Sequence, residues 1–238
     1  VAGAGHLILR DTDLAEEYTM LEKLREDVWK ANIALPRYRL IASTSGNASA
    51  CDGESGLVVI KPSGVDFDTL KAGDLIVTDL HGKVVEGDLL PSVDTATHLY
   101  VYRHRPDLKG IIHTHSPYAT SFAALGQTIP LCLTTLACEF GSPIPVSEFA
   151  TIGGEEIGRE MVKRLGTCPA ILMRNHGVFT VGPTVEAALK AALMLEEAAQ
   201  TVHYAMLRGK VEELPPDVID QAFKFYHETY GQRDKPGK

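Results

Sequence analysis

Two short apolar runs, residues 75–78 and 84–86, flank Asp79-Leu80-His81-Gly82-Lys83, a segment built of residues that reverse the chain. Strands joined this closely pair antiparallel, because a parallel pair needs a crossover of a dozen residues or more. Elsewhere, strand-like runs at residues 40–49, 56–60, 110–116, 131–136 and 144–146, and on both sides of Asn175-His176-Gly177 within 170–181, alternate with helical spacing. The helical segments are residues 13–34, closed by Pro36; an entry at 91–95 leading to 105; one starting near Pro117; 152–165; 185–208, expected as the longest; and 218–226 after the Leu214-Pro215-Pro216 break. The expected class is therefore α/β, with helices covering a mixed or mainly antiparallel sheet.

A chain of 238 residues, 45% hydrophobic and 23% charged, can bury one good core, so a single domain spanning 1–238 is expected. Its net charge of -8 offers no broad positive field, which argues against nucleic acid as a partner, and a small anionic substrate would need local basic groups. Cys51, Cys132, Cys138 and Cys168 lack CxxC spacing and are read as free thiols. No segment has the apolar length of a membrane span, and residues 1–6 lack the pattern of a secretory leader, so no membrane association and a cytoplasmic location are expected, with either processing or trimming of the chain accounting for the missing initiator Met.

In Gly110-Ile111-Ile112-His113-Thr114-His115-Ser116, His113 and His115 stand two apart and project from one face of a strand at its end. His176 lies between two apolar runs, beside Gly177, where a turn can expose it. Three imidazoles would hold a divalent metal and leave an open position, the arrangement of a Lewis-acid centre rather than a closed structural site. Taken alone, a His-X-His pair is equally well read as two partly buried strand histidines. His6, His81, His98, His104, His203 and His227 stand in no comparable pattern and read as surface or packing residues. Asp94 can be a helix N-cap, a fourth metal ligand or an acid/base, with the cap favoured by local sequence.

Two small-residue turns, Ser45-Gly46-Asn47 and Ser63-Gly64, supply hydroxyl and backbone donors of the kind that close around phosphate, as does Ser92, and Lys61 adds charge. Singly, each is an ordinary loop residue. None matches a Walker A loop or a dinucleotide fingerprint.

In this order along the chain, Ser45-Gly46-Asn47, Lys61-Pro62-Ser63-Gly64-Val65, Pro91-Ser92-Val93-Asp94-Thr95, His113-Thr114-His115-Ser116, Asn175-His176-Gly177 and Tyr230-Gly231-Gln232 resemble the class II aldolase and L-ribulose-5-phosphate 4-epimerase family over residues 20–232. The resemblance implies a three-layer α/β/α sandwich around a mainly antiparallel sheet, assembled as a homotetramer with active sites at subunit interfaces. It implies one divalent ion per subunit, zinc or else manganese, cobalt or nickel, on His113, His115 and His176, with Asp94 at or beside it. Ser45, Gly46, Asn47, Lys61, Ser63, Gly64 and Ser92 would contact a ketose phosphate, and Tyr230 would serve a neighbouring subunit's site as acid/base. Asp94-Thr95-Ala96-Thr97-His98 is similar to the epimerase pattern, where aldolases carry Glu, so L-ribulose-5-phosphate 4-epimerase is the expected activity. The alternatives are a class II aldolase acting on a deoxyketose 1-phosphate such as fuculose 1-phosphate, and a non-catalytic sugar-phosphate-binding or interaction protein. Two departures bear on that choice: Val93 replaces an epimerase serine, and Glu139 is the candidate substitute for an absent epimerase aspartate. The segment 144–154 looks more like the aldolase branch.

Overall fold

The computed structural model describes residues 11–231, with side chains from residue 20 onward. Gln232 and residues 1–10, on which the leader reading rests, lie outside the described residues. Seven strands, β1 (Asn47–Cys51), β2 (Val58–Ile60), β3 (Ile76–Thr78), β4 (Val84–Glu86), β5 (Gly110–Thr114), β6 (Ala170–Met173) and β7 (Gly177–Gly182), form one sheet in the order β4-β3-β2-β1-β5-β7-β6. Every neighbouring pair in it is antiparallel. The expected β3–β4 hairpin is present, and the two strand-like halves of 170–181 are β6 and β7, which pair antiparallel with Met173 opposite Gly177 around the Asn175-His176 turn.

Alternation along the strands sends side chains to two helical layers. Ile112, Ala48, Val59 and Val77 face α1 (Asp11–Arg37) and α6 (Val185–Met206), and Leu172 and Val178 face α6, α3 (Pro117–Leu125) and α4 (Thr134–Phe140). Ile111, Val58, Ile171, Phe179 and Val181 turn the other way, onto α2 (Thr95–His104) and α5 (Glu156–Arg164). The result is the expected α/β/α sandwich. Each fully buried Ile, Val or Leu in these layers stabilises the fold by about 1.5–3 kcal/mol relative to exposure. The last helix, α7 (Pro216–Glu228), packs on α4 and buries none of its own residues completely.

The structure departs from the sequence reading in four places. Residues 131–136 are not a strand: the chain turns into α4 at Thr134, where Leu136 and Phe140, four residues apart, meet the core and Gly141 ends the helix at φ 60. Residues 144–146 contribute only a single parallel bridge, Val146 to Leu172. The strand expected from residue 40 begins at Asn47, because Arg39 (φ 58), Ser43 (φ 53) and Gly46 (φ 78) bend the preceding chain into turns. Finally, α1 has 27 residues against 22 for α6, since Pro36 falls in its last turn, where little of the helix remains to be broken.

Candidate metal centre

Three chain segments meet at the end of the sheet where β5 stops and β1 and β7 begin. Asn47 is opposite His113 in the β1–β5 ladder, and His113 is opposite Phe179 in the β5–β7 ladder, so all three occupy the α2 face. His115 follows two residues after His113, and His176 enters from the β6–β7 turn, whose Asn175 takes a left-handed φ of 57. Gly177 permits this approach, because a Cβ there would stand 2.6 Å from the His115 ring and 3.3 Å from the His113 ring. One ring nitrogen of each histidine lies within 4.8 Å of the others. The His113–His115 and His113–His176 ring centroids are 4.7 and 4.9 Å apart.

Nitrogen chemistry decides whether this cluster fits a cation. His113 Nδ1 donates to the Val178 carbonyl at 3.0 Å, which fixes its tautomer and leaves Nε2 a bare lone pair. Buried His115 Nε2 and His176 Nδ1 have no hydrogen-bond partner. Burial pushes the His113 imidazole down to about 3, opposed by Asp94, and burial likewise lowers His115 and His176, so all three are neutral near pH 7. Nitrogens about 2.0–2.1 Å from a tetrahedral ion would be about 3.3 Å apart, within reach of the observed spacing. The donor set fits a divalent cation.

Asp94 occupies the N-cap position of α2 but makes no side-chain cap bond. Its carboxylate instead accepts from Asn47 Nδ2 at 2.7 Å. Burial raises its pKa, but His113, His98, the Asn47 amide and His176 outweigh that and hold the carboxyl below its ordinary range. It stands beside the histidine trio, outside the group whose ligand atoms share the 4.8 Å spacing.

A cavity of ≈ 310 Å³ opens onto these groups, and Ser45, Gly46, Asn47, Lys61, Ser63, Gly64, Ser92 and Asp94 line it with the three histidines. The two turns are clasped together: Ser92 N donates to Lys61 O at 3.0 Å and Ser63 N to Leu90 O at 2.8 Å. Ser92 Oγ accepts from both Asn47 Nδ2 (3.1 Å) and the Asp94 amide (3.3 Å), which leaves its own proton to donate into the cavity. With both Asn47 Nδ2 protons spent on Ser92 and Asp94, its buried Oδ1 is an acceptor without a partner, suited to a substrate hydroxyl. Gly64, at φ 68, supplies a backbone conformation that a side chain would strain.

Lys61 differs from the expectation of a phosphate-facing ammonium. Its Nζ is turned inward, donating to Val65 O at 2.7 Å and Pro62 O at 3.3 Å and lying 4.4 Å from the Phe67 ring centre. Burial lowers its pKa, with Asp66 opposing. It braces the Ser63-Gly64 turn and biases the cavity positive, without presenting its tip.

Glu139 does not join the other candidates. It is buried on α4 in an ion pair with Lys190 Nζ of α6 at 2.8 Å, lining a different cavity with Arg105 and Cys168. Lys190 also lies 4.5 Å from the Tyr226 ring centre, so the pair ties α4, α6 and α7 together. Tyr230 is outside the histidine cavity too, 61% exposed and stacked on Tyr226. The sequence reading passed over His98, which is completely buried behind Asp94 with Nδ1 at 2.7 Å from Ser49 Oγ. Its one available signal was position, one helical turn after Asp94 on the same helix face. Ile152 and Val93, 67% and 62% exposed, form an apolar rim that was also not anticipated as site lining.

Residues 26–203 match the family model described as Class II Aldolase and Adducin N-terminal domain. Among solved structures, an L-fuculose 1-phosphate aldolase is 31% identical over 86% of this chain and 96% of its own, with a TM-score of 0.81. The L-fuculose-1-phosphate aldolase of Thermus thermophilus is 28% identical, covering 80% of this chain and 98% of that one at a TM-score of 0.68. YgbL of Klebsiella pneumoniae is 26% identical, covering 84% and 98% at 0.75. The chain belongs to the class II aldolase and adducin N-terminal domain family.

Proposed function

We propose that this chain is a divalent-metal-dependent aldolase that cleaves a deoxyketose 1-phosphate of the fuculose 1-phosphate kind into dihydroxyacetone phosphate and an aldehyde. The observation that carries it is the convergence of three neutral imidazoles, each with a lone pair free of protein partners, on a cavity walled by hydroxyl and amide donors. A zinc or similar ion held there supplies Lewis-acid polarisation of a substrate carbonyl. The chain's own groups do the rest. Ser92 Oγ, Ser63 Oγ and the Gly46 and Gly64 backbone amides offer donors to phosphate, and Asn47 Oδ1 receives a sugar hydroxyl. Asp94 and, from a neighbouring subunit, Tyr230 exchange protons with the substrate oxygens.

The aldolase reading is placed above the epimerase because the substitute proton carrier the epimerase needs, Glu139, is committed to Lys190 inside its own chain. The likeness to L-fuculose 1-phosphate aldolase at 31% identity supports the same order. L-Ribulose-5-phosphate 4-epimerase is the second reading, favoured by Asp at position 94 and by the Tyr230-Gly231-Gln232 end. A coupled assay on zinc-loaded protein compares dihydroxyacetone phosphate released from L-fuculose 1-phosphate and related deoxyketose 1-phosphates with D-xylulose 5-phosphate formed from L-ribulose 5-phosphate. Release without epimerisation is the expected result. Epimerisation alone would replace the first reading by the second, and neither product would point to a binding protein.

A further inference from the structure

The helix that follows His115 ends against the turn that carries His176. α3 runs from Pro117 to Leu125 with Ser116 at its N-cap position, so His115 lies one residue before its start. That start is tied down by Glu196, which accepts from Tyr118 N and Ala119 N at 3.0 and 2.8 Å. At the other end, helical carbonyls run out of intrahelical partners, and Gly126 N and Gln127 N reach only those of Phe122 and Ala123. The β6–β7 turn meets this end with two consecutive residues. Asn175 N donates to Ala123 O at 3.1 Å and Asn175 Nδ2 to Ala124 O at 3.2 Å. Arg174 lies against the C-cap, where a Cβ on Gly126 would stand 2.8 Å from its guanidinium.

The residue type suits the contact. At φ 57 the Asn175 backbone is left-handed, a conformation that Gly adopts freely and Asn tolerates better than most residues, and of the two only Asn carries a donor. Ala124 O can only accept, so the amide nitrogen must face it. His176 N closes the turn by donating to Met173 O at 3.0 Å, so holding Asn175 also holds the backbone of His176. His176 needs this more than His113 does. The Val178 carbonyl orients the His113 ring, whereas buried His176 Nδ1 has no hydrogen-bond partner, and the ring is placed by its backbone and by the neighbouring imidazoles at 4.9 and 5.2 Å.

We propose that Asn175 is a positioning residue for the metal centre: by pairing with the last carbonyls of α3 it locks the His176 turn onto the helix that begins beside His115, so that one helix fixes these two imidazoles relative to each other. The role rests on the reading of the three histidines as metal ligands; the tie between turn and helix does not.

Zinc affinity by chelator competition on the full-length protein tests it. Asn175→Gly keeps the left-handed backbone and removes only the side-chain tie, and its affinity should fall about 10-fold; Asn175→Ala, which adds backbone strain, should fall at least as far. An Asn175→Gly protein within about twofold of wild type would overturn the proposal. Cobalt(II) in place of zinc supplies a readout that a purely structural role would not move, because the visible bands report the ligand geometry: they should change in Asn175→Gly, and an unaltered spectrum in the folded variant would reduce Asn175 to a turn former. Since Glu196 holds the other end of the same helix, the Asn175→Gly, Glu196→Ala double variant should lose less affinity than the product of the two single losses. Losses that multiply in full would mean that α3 does not join the two ligands, and would overturn that half of the idea. His176→Ala separates this from the underlying reading: wild-type protein that binds no zinc, or zinc retained in His176→Ala, would remove the metal centre itself, whereas zinc lost in His176→Ala but unaffected by Asn175→Gly would remove only the positioning role.

Discussion

Burial acts on the site histidines in two ways that pull together: it strips protons from the imidazoles and removes competing hydrogen-bond partners from their lone pairs. Replacing His113 by Ala deletes a ligand and leaves the Val178 carbonyl without its donor, so zinc affinity should drop by more than about 100-fold, measurable as metal per chain after dialysis. A replete His113→Ala protein would show that another group completes the centre. The same depressed pKa values set the acid behaviour of the metal-free protein. His98 titrates near 4 when folded and near 6.5 when unfolded, so below about 6.5 the unfolded chain binds the proton first and stability falls with pH. Fully present above 6.5, this contribution declines by about 1.4 kcal/mol per pH unit until about 4. Urea unfolding across that window checks it, and His98→Gln should flatten the slope by that one group's share.

Two polar side chains on helices, one buried and one half-buried, hold the chain ends that present the site. Asn32 of α1 is completely buried, accepts from Ala48 N at 2.9 Å and donates to Ala48 O at 3.2 Å. It pairs with β1 one residue beyond the β2 ladder, which begins at Ser49, and next to Asn47. Asn32→Leu keeps the volume but orphans both Ala48 groups, for an expected loss of about 2–4 kcal/mol in urea unfolding. Glu196 of α6 accepts from Tyr118 N at 3.0 Å and Ala119 N at 2.8 Å, capping α3 just after His115. Glu196→Ala should cost about 1–2 kcal/mol and weaken zinc binding measurably; an unaltered affinity would mean that the α3 entry does not position His115. Neither tie was legible in the sequence, because an Asn or Glu inside a helix pattern reads as solvated surface until a strand end is brought to it. The histidine trio and the Ser-Gly turns were legible, since strand alternation and turn chemistry are local. The segment 131–136 was misread for the opposite reason: a short apolar run has no period of its own, and Gly141, the stop signal that makes it a helix, lies beyond it.

Within one chain, the histidine cavity and Tyr230 are separate, and α7 leaves Phe225 and Tyr230 56% and 61% exposed near its end. Proton transfer needs hydrogen-bond reach, so if Tyr230 serves the chemistry it must do so in a neighbouring subunit's cavity. A cyclic assembly supplies this naturally, because a head-to-tail interface sets one surface of each chain against a different surface of the next. The consequence is quantitative. His113→Ala homo-oligomers lack the metal side of every site, and Tyr230→Phe homo-oligomers lack the tyrosine side of every site. In hybrids formed by refolding equal amounts together, a complete site needs a Tyr230→Phe chain to provide the histidines and a His113→Ala chain to provide the tyrosine. Random mixing puts that ordered pair at about one interface in four, so the mixture should recover up to about a quarter of wild-type turnover from two nearly inactive parents. If each site were instead complete within one chain, every hybrid site would still carry one lesion and activity would stay at the average of the parents.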